Sequence, residues 1–515
     1  MDATHHQYED SAFPGGPIPS QATPGSAIAR QKWSDRVFSL PAVLGLLLVY
    51  LLLIVSASGT VVRSLADNDI WWHLRNASEL MRTGHFIRTE TYTFTVAGKA
   101  WINFEWLGEL PYYFANRWLG DRGLYLVLIV TAGLIVIGIY CLARLRSGSW
   151  GAAFFAASIA VFLTTVSLLP RPLLFGWLFL VIELGVLWSL RKGRDFTTWL
   201  PLLFLVWINT HGSWFIGFVL MAVFVACGFA EGEWGNLYAT RWTPQQRRKL
   251  LAVAGASFAA LFINPYGWRL VAYPLDVAFR QRQTVENIAE WGSLDFHTAR
   301  GKLVVGILVL LAVLQLLRRR QWALEDVALG AIAFYGAVTH VRFLFLIAIV
   351  LMPLLAMDLR GDEPKRSGAG KGLSLINSVI IAALIAMIVH SYPSEKRLHE
   401  GIAEAFPEKA VPYVRSLAGQ GNLLNNFNWG GYLEWEAPEL KEFIDPRNDI
   451  FEHEGVMSDY LRATKVDDTF AVLDKYRIQY VLLARDAPAA YLLGHSPTWR
   501  RTYDDGQAVV FARQQ

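Results

Sequence analysis

The chain reads as long apolar runs broken by short polar segments. Mostly apolar stretches cover 40–60, 123–145, 150–169, 172–190, 199–209, 214–229, 249–263, 302–317, 322–339, 342–357 and 373–390. A membrane-spanning helix needs about 20 such residues, so the pattern predicts about eleven spans. The run 199–209 is the shortest, and a half-helix or re-entrant element is the alternative there. Three stretches do not follow the pattern. Residues 1–36 are polar and rich in Gly, Pro, Ser and Gln, cannot build a core, and predict a disordered tail. The apolar run that follows starts too late and is too long for a cleavable signal peptide. Residues 61–122 form a large polar loop after the first span. Residues 392–515 have soluble composition, with strand-like runs (N-L-L-N-N-F, E-F-I-D, Y-V-L-L-A-R, A-V-V-F-A-R) between helical patterns. The expected fold is mainly α: a polytopic membrane domain over 37–391 and a small C-terminal α/β domain over 392–515.

Lys and Arg orient the spans. Arg30, Lys32 and Arg36 precede the first one, which puts the N-terminus in the cytoplasm. Alternation then places each later basic cluster inside, from Arg144 and Arg146, through Arg191, Lys192 and Arg194, to Arg318, Arg319 and Arg320. It sends the unusual polar motifs outside: D-N-D-I-W-W-H-L-R from Asp67, W-I-N-F-E-W-L-G-E-L from Trp101, R-P-L from Arg171, N-T-H-G from Asn209, N-P-Y-G-W from Asn264, H-V-R from His340, and everything after Ser391.

Composition agrees with a membrane protein. The chain is 54% hydrophobic and 17% charged, against about 45–50% and about 25% in soluble proteins. A net charge of +4 gives no footprint for nucleic acid. The two cysteines, Cys141 and Cys227, lie in apolar runs and imply no disulfide framework. No P-loop, kinase or G-x-S-x-G signature occurs, so nothing supports an ATP-driven pump or a serine hydrolase.

The outer motifs carry the candidate chemistry. Trp71, Trp72 and the aromatic segment 101–118 suit the bilayer interface. The carboxylates beside them do not need that location. Asp67 and Asp69 sit two apart just outside a span. One of them can take a proton from an acceptor hydroxyl, with the other as its partner; helix capping is the plainer reading. Glu105 is a second acid of the same loop, four residues from Glu109 and on the same helical face. Arg171 and Arg342, at outer span ends, are candidate phosphate clamps, with snorkelling to headgroups as the alternative. His73, Asn209, His211, Tyr266 and His340 complete the candidate substrate-binding set. His211 or His340 with Asp67, Asp69 or His73 leaves a divalent metal open as a cofactor, although no metal-binding spacing is present. The C-terminal N-W-G-G-Y-L and F-I-D-P-R segments read as turns.

Together, D-N-D-I-W-W-H-L-R, W-I-N-F-E-W-L-G-E-L, L-P-R-P-L, W-I-N-T-H-G-S, N-P-Y-G-W and the late N-W-G-G-Y-L with F-I-D-P-R resemble a group of bacterial multi-spanning proteins. That group is related to GT-C glycosyltransferases of the dolichyl-phosphate-mannose protein mannosyltransferase type. The resemblance covers the chain from about Leu40 on. It implies a polyprenyl-phosphate-linked sugar as donor, a glycan, lipid or protein acceptor, and acids in the first external loop. Asp67 and Asp69 match the first acidic position and Glu105 the second. Asn103 stands where related sequences often carry Asp or His, which weakens a metal role there. The expected function is sugar transfer on the extracytoplasmic face of a bacterial plasma membrane. The alternatives are a polysaccharide ligase or polymerase using a lipid-diphosphate substrate, and a non-catalytic transport or assembly protein. A transporter predicts repeats and mid-span charges, and the only acid away from the ends of a run is Glu183.

Overall fold

The computed structural model describes residues 65–165, 168–281, 286, 288–360 and 375–514. The tail 1–36 and the first apolar run, 40–60, lie outside the described residues.

The polar loop carries two helices, α1 (Asp69–Thr83) and α2 (Trp106–Leu119). The helices that follow are α3 (Asp121–Ser147), α4 (Trp150–Thr164), α5 (Leu173–Arg191), α6 (Leu200–Ile208), α7 (Trp214–Cys227), α8 (Pro244–Ala260), α9 (Trp268–Arg280), α10 (Ala299–Arg318), α11 (Leu324–Thr339), α12 (Val341–Leu359) and α13 (Leu375–Ser391), of which all but α9 fall on the apolar runs. Four of these, α3, α5, α10 and α12, are long and apolar enough to cross a membrane. The other predicted runs fall on shorter helices or, for 40–60, outside the described residues. The short run at 199–209 yields nine helical residues, a rise of about 14 Å, roughly half of the hydrocarbon thickness.

Local chemistry sets the helix ends. Ser149 caps α4 by accepting the Ala152 N–H, and Thr298 caps α10 by accepting that of Gly301. Thr243 and Gln246 form a capping box at α8, with Pro244 at its first position. Three short strands, β1 (Gly232–Trp234), β2 (Leu237–Ala239) and β3 (Trp322–Ala323), tie the connection after α7 to the start of α11.

After α13 come α14 (Glu395–Ala405), β4 (Asn422–Asn425), α15 (Gly430–Glu436), β5 (Ile478–Ala484), β6 (Trp499–Asp504) and β7 (Ala508–Arg513). The sheet order is β4-β5-β7-β6, parallel between β4 and β5 and antiparallel elsewhere. A parallel pair needs a long crossover. The crossover here runs through α15 and the F-I-D-P-R segment, and both reach the first loop.

This contact corrects one expectation. Trp71, Trp72 and Trp101 are buried inside protein rather than lying at a lipid interface. Trp71 meets Tyr432 and Phe406 edge-on at 5.1 and 5.7 Å. Trp72 and Trp101 belong to the same apolar core as Phe443, Ile444 and Phe451. Each ring removes far more apolar area from water by packing on the sheet domain than by grazing a headgroup layer. Trp118, by contrast, is exposed. Gly431 lets α15 approach this closely: a Cβ there would stand 2.7 Å from the Asn68 carbonyl.

Candidate active site

The first loop, the R-P-L turn and the loop before α10 meet around one guanidinium. Asp67 precedes α1 and Asp69 begins it. Arg171 lies one residue before Pro172, the N-cap of α5, and its carbonyl accepts the Tyr112 hydroxyl at 3.1 Å. The Arg171 side chain reaches back to the loop. Its Nε donates to Asp67 Oδ2 at 2.5 Å, and its Nη1 lies 2.9 Å from Asp69 Oδ2 and 3.5 Å from Glu290 Oε1. Asp67 Oδ1 accepts the Asp69 N–H at 2.7 Å, so Asp67 both caps the first turn and grips the arginine. W-L-G-E-L supports the junction at Gly108, where a Cβ would stand 2.7 Å from Pro172 Cβ and 2.8 Å from the Thr210 carbonyl.

The Asp69 carboxyl is pushed up to about 7, first by burial and then by the charges of Asp67 and Glu290, against the pull of Arg171. It remains 19% exposed on its side chain. A carboxyl poised near neutrality, in reach of water, is suited to general-base work.

Glu290 was not anticipated. It lies beside Trp291 in a turn of helix at Ala289–Trp291. An acid next to Trp, as at Glu105 and Trp106, is the signal in the sequence that marks it. Arg342 stacks on Trp291 with its guanidinium 4.3 Å from the ring centroid. It lies within electrostatic reach of Glu290, Arg171, Glu105 and Asp69, and makes no ion pair among the described residues. His340 Nδ1 lies 2.7 Å from the Trp291 carbonyl and so steadies that ring.

Glu105 sits in a second, more enclosed chain. His211 Nε2 lies 3.1 Å from Glu105 Oε1, and His73 Nε2 lies 3.4 Å from Oε2. His73 Nδ1 lies 3.1 Å from Glu109 Oε1. Asn76 and Asn103 donate to the two Glu109 oxygens at 3.2 and 2.8 Å. The Ser213 N–H donates to His211 Nδ1 at 2.9 Å, which fixes the tautomer and points His211 Nε2–H at Glu105. Burial, aided by Arg171, holds His73 well below the usual histidine range; burial, with Arg342 and Arg171, takes His211 down to about 3. A neutral His73 has one donor and one acceptor nitrogen. It faces a carboxyl on each side, hydrogen-bonded to Glu109 and 3.4 Å from Glu105. Both carboxyls are raised by burial, Glu109 to about 8. Asn103, the residue that departs from the related sequences, serves here as a donor to Glu109.

The structure therefore brings Asp67, Asp69, Arg171 and Arg342 together, and sets Glu105, His73 and His211 behind them. It does not bring Asn209 or Tyr266 into the cluster. Asn209 accepts the Trp106 indole N–H at 3.0 Å and donates to the Leu205 and Ile263 carbonyls. The Tyr266 hydroxyl donates to the Ile87 carbonyl at 2.8 Å. Both hold backbone. Among the described residues no group of three or more His, Cys, Asp or Glu is arranged to hold a metal ion. The charge that Asp67, Asp69 and Glu290 balance is that of Arg171. The residues thus do not fit the divalent metal considered above.

No protein-family model matches the chain, and no curated protein does. Solved structures do. The apo oligosaccharyltransferase of Archaeoglobus fulgidus is similar with a TM-score of 0.53 at 13% identity, covering 95% of this chain and 75% of that one. The same archaeal enzyme AglB in complex with an inhibitory peptide and a dolichol-phosphate gives 0.51 at 13% identity, over 91% and 74%. The form tethered to an acceptor peptide containing the NVT sequon gives 0.50 at 15% identity, over the same shares. At such identities the likeness is one of fold, and it extends over nearly all of the chain: this protein shares the fold of these archaeal oligosaccharyltransferase structures.

Proposed function

We propose that the chain is an integral membrane glycosyltransferase that moves a sugar from a polyprenyl-phosphate donor to an acceptor on the extracytoplasmic face of the plasma membrane. The observation that carries this reading is Arg171, held by Asp67 and Asp69 beside an Arg342 that has no ion-pair partner among the described residues. A base and two phosphate-binding cations are what such a transfer needs. The dolichol-phosphate bound by an archaeal neighbour supports a lipid-linked donor.

In the proposed step the ionised Asp69 takes the proton of the acceptor hydroxyl. The freed oxygen attacks the anomeric carbon. The bond from that carbon to the phosphate oxygen breaks, and its electron pair leaves with the polyprenyl phosphate, whose new charge Arg342 and Arg171 stabilise. Asp67 holds Arg171 in place. The Glu105–His73–Glu109 chain keeps the loop rigid behind the acids. An apolar groove of about 450 Å³ between Trp106, Leu107, Leu205, Val206, Phe262 and Ile263 suits the prenyl chain. The reading includes the eleven-span topology, with residues 392–515 outside.

The test is deletion of the gene, followed by analysis of surface glycans and polyprenyl-linked sugars. Loss of a glycan with accumulation of its lipid-linked donor is expected. Wild type should reverse it, whereas Asp69→Asn and Asp67→Asn should not. Restoration by both variants at normal expression overturns the assignment.

A further inference from the structure

A cleft of about 870 Å³ lies between the first loop and the C-terminal elements, lined on one side by Ala66 and Asn68 and on the other by residues near α14, β4, β5 and β7. Its volume falls in the range of about 300–1,000 Å³ usual for small-molecule sites. Asn68 separates Asp67 from Asp69, so a ligand touching it is one residue from the acids. We infer that this cleft is the acceptor subsite and that it takes a saccharide. The inference rests on the transferase reading and adds the class of acceptor.

The lining supports a sugar over the other acceptor classes. Its polar residues are Asn68, Glu404, Asn426, Asn428, Arg485, Asp486 and Gln507. Amides both donate and accept, as sugar hydroxyls do. The Asp486 carboxylate makes no hydrogen bond or ion pair among the described residues and can receive two neighbouring hydroxyls. The aromatic residues of the cleft, Phe406 and Trp429, are almost wholly buried, 2% and 5% exposed, so the cleft has no apolar slot for a lipid tail. An extended peptide would add to the edge strand β4. Beside Asn425 of that strand the Phe443–Ile444 backbone already lies, its two N–H groups donating to the Asn425 side-chain oxygen at 2.9 and 3.3 Å and its Ile444 carbonyl accepting from the Asn425 amide at 2.7 Å. The two walls are joined directly, with Asn68 Nδ2 donating to Asn428 Oδ1 at 3.2 Å.

The test uses the full chain in lipid nanodiscs with maltotriose, cellotriose, mannotriose and chitotriose as probes and the tripeptide Gly-Ser-Gly as control, read by ligand-observed NMR at millimolar concentration. At least one trisaccharide should bind, and the peptide should not. Asn428→Ala with Asp486→Ala, and Asp486→Ala alone at this exposed site, should weaken binding by about tenfold or more. Lys396→Ala, on an exposed face of α14, should leave it unchanged. No binding by any trisaccharide, binding of the peptide instead, or equal binding by the cleft variants overturns the inference. Asp69→Asn separates the two readings, since it should keep saccharide binding while losing transfer. Saccharide binding in the cleft of a protein whose deletion leaves surface glycans unchanged would sink the transferase and leave the cleft standing.

Discussion

Two arginines of this chain are each gripped by three carboxylates. Arg171 meets Asp67, Asp69 and Glu290. Arg447 meets Glu90 at 2.7 Å, Glu434 at 3.0 Å and Asp445 at 2.5 Å. In charge and geometry they are close to equivalent. Their surroundings are not. The Arg447 side chain is 1% exposed and lies between the rings of Tyr92 and Trp101, with centroids at 4.9 and 4.7 Å. The Arg171 side chain is 20% exposed and has Arg342 within electrostatic reach. The sealed cluster can only be structural. It fastens the first loop to the F-I-D-P-R segment, alongside Phe94 N–H donating to the Glu442 carbonyl and Thr95 to that of Phe443. The open cluster can exchange protons and ligands. An ion cluster becomes a candidate site by access, and the sealed one holds the other in position.

The comparison breaks most sharply under substitution. Asp69→Asn should lower transfer by about 10²–10⁴-fold, the usual worth of a general base, with the thermal midpoint nearly unchanged. Assays of purified protein with a lipid-linked sugar, beside a melting curve, check both halves. Arg447→Ala should do the reverse. Removing one partner of a buried cluster costs about 3–5 kcal/mol, so the melting temperature and expression should fall, and transfer should fall with the folded fraction alone. If Arg447→Ala stays folded and inactive, the sealed cluster is not merely structural.

The pH profile sharpens the contrast. The proposed base works ionised, and Asp69 is raised to about 7. The transfer rate should therefore rise with pH through about 7 and level off above it. Asp67→Asn removes a negative neighbour that helps to raise Asp69 and should move the midpoint of any residual activity to lower pH, whereas Glu442→Gln in the sealed region should not. A midpoint unmoved by Asp67→Asn argues against Asp69 as the titrating base. Smaller effects follow from packing. Gly431→Ala forces a Cβ against the Asn68 carbonyl and should cost about 1–3 kcal/mol by overpacking, visible as a lower melting temperature and weaker saccharide binding. Trp118→Ala, at a residue 73% exposed, should change stability by less than about 0.5 kcal/mol, against about 3–5 kcal/mol for buried Trp72→Ala.

Much of the fold was legible because the bilayer simplifies the code. Long apolar runs have few ways to satisfy their backbone in lipid, so 123–145 and 172–190 could be read directly as helices, as could the strands Y-V-L-L-A-R and A-V-V-F-A-R of the late sheet. Within the candidate site, Asp67, Asp69, Glu105, Arg171 and Arg342 were visible as charged residues clustered near apolar ends. The roles of Asn209, Tyr266 and the tryptophans were not. A Trp beside a membrane and a Trp in a domain core have the same neighbours in sequence, and only the covering surface distinguishes them. Glu290 was passed over because its partner, Arg171, lies far away along the chain. F-I-D-P-R looked like a turn because the three acids that Arg447 meets come from three separate segments.

The sequence by itself determined the helical membrane class, the strand-bearing C-terminal stretch and the charged residues available for chemistry. These follow from local hydrophobicity and from side-chain type, and neither depends on what lies opposite. The tertiary structure decided which acids meet which arginine, which histidine tautomer faces Glu105, which tryptophans are core, and which of two similar ion clusters stays partly exposed. Those outcomes depend on distance and on access to water, and both are set only when segments remote in sequence have packed together.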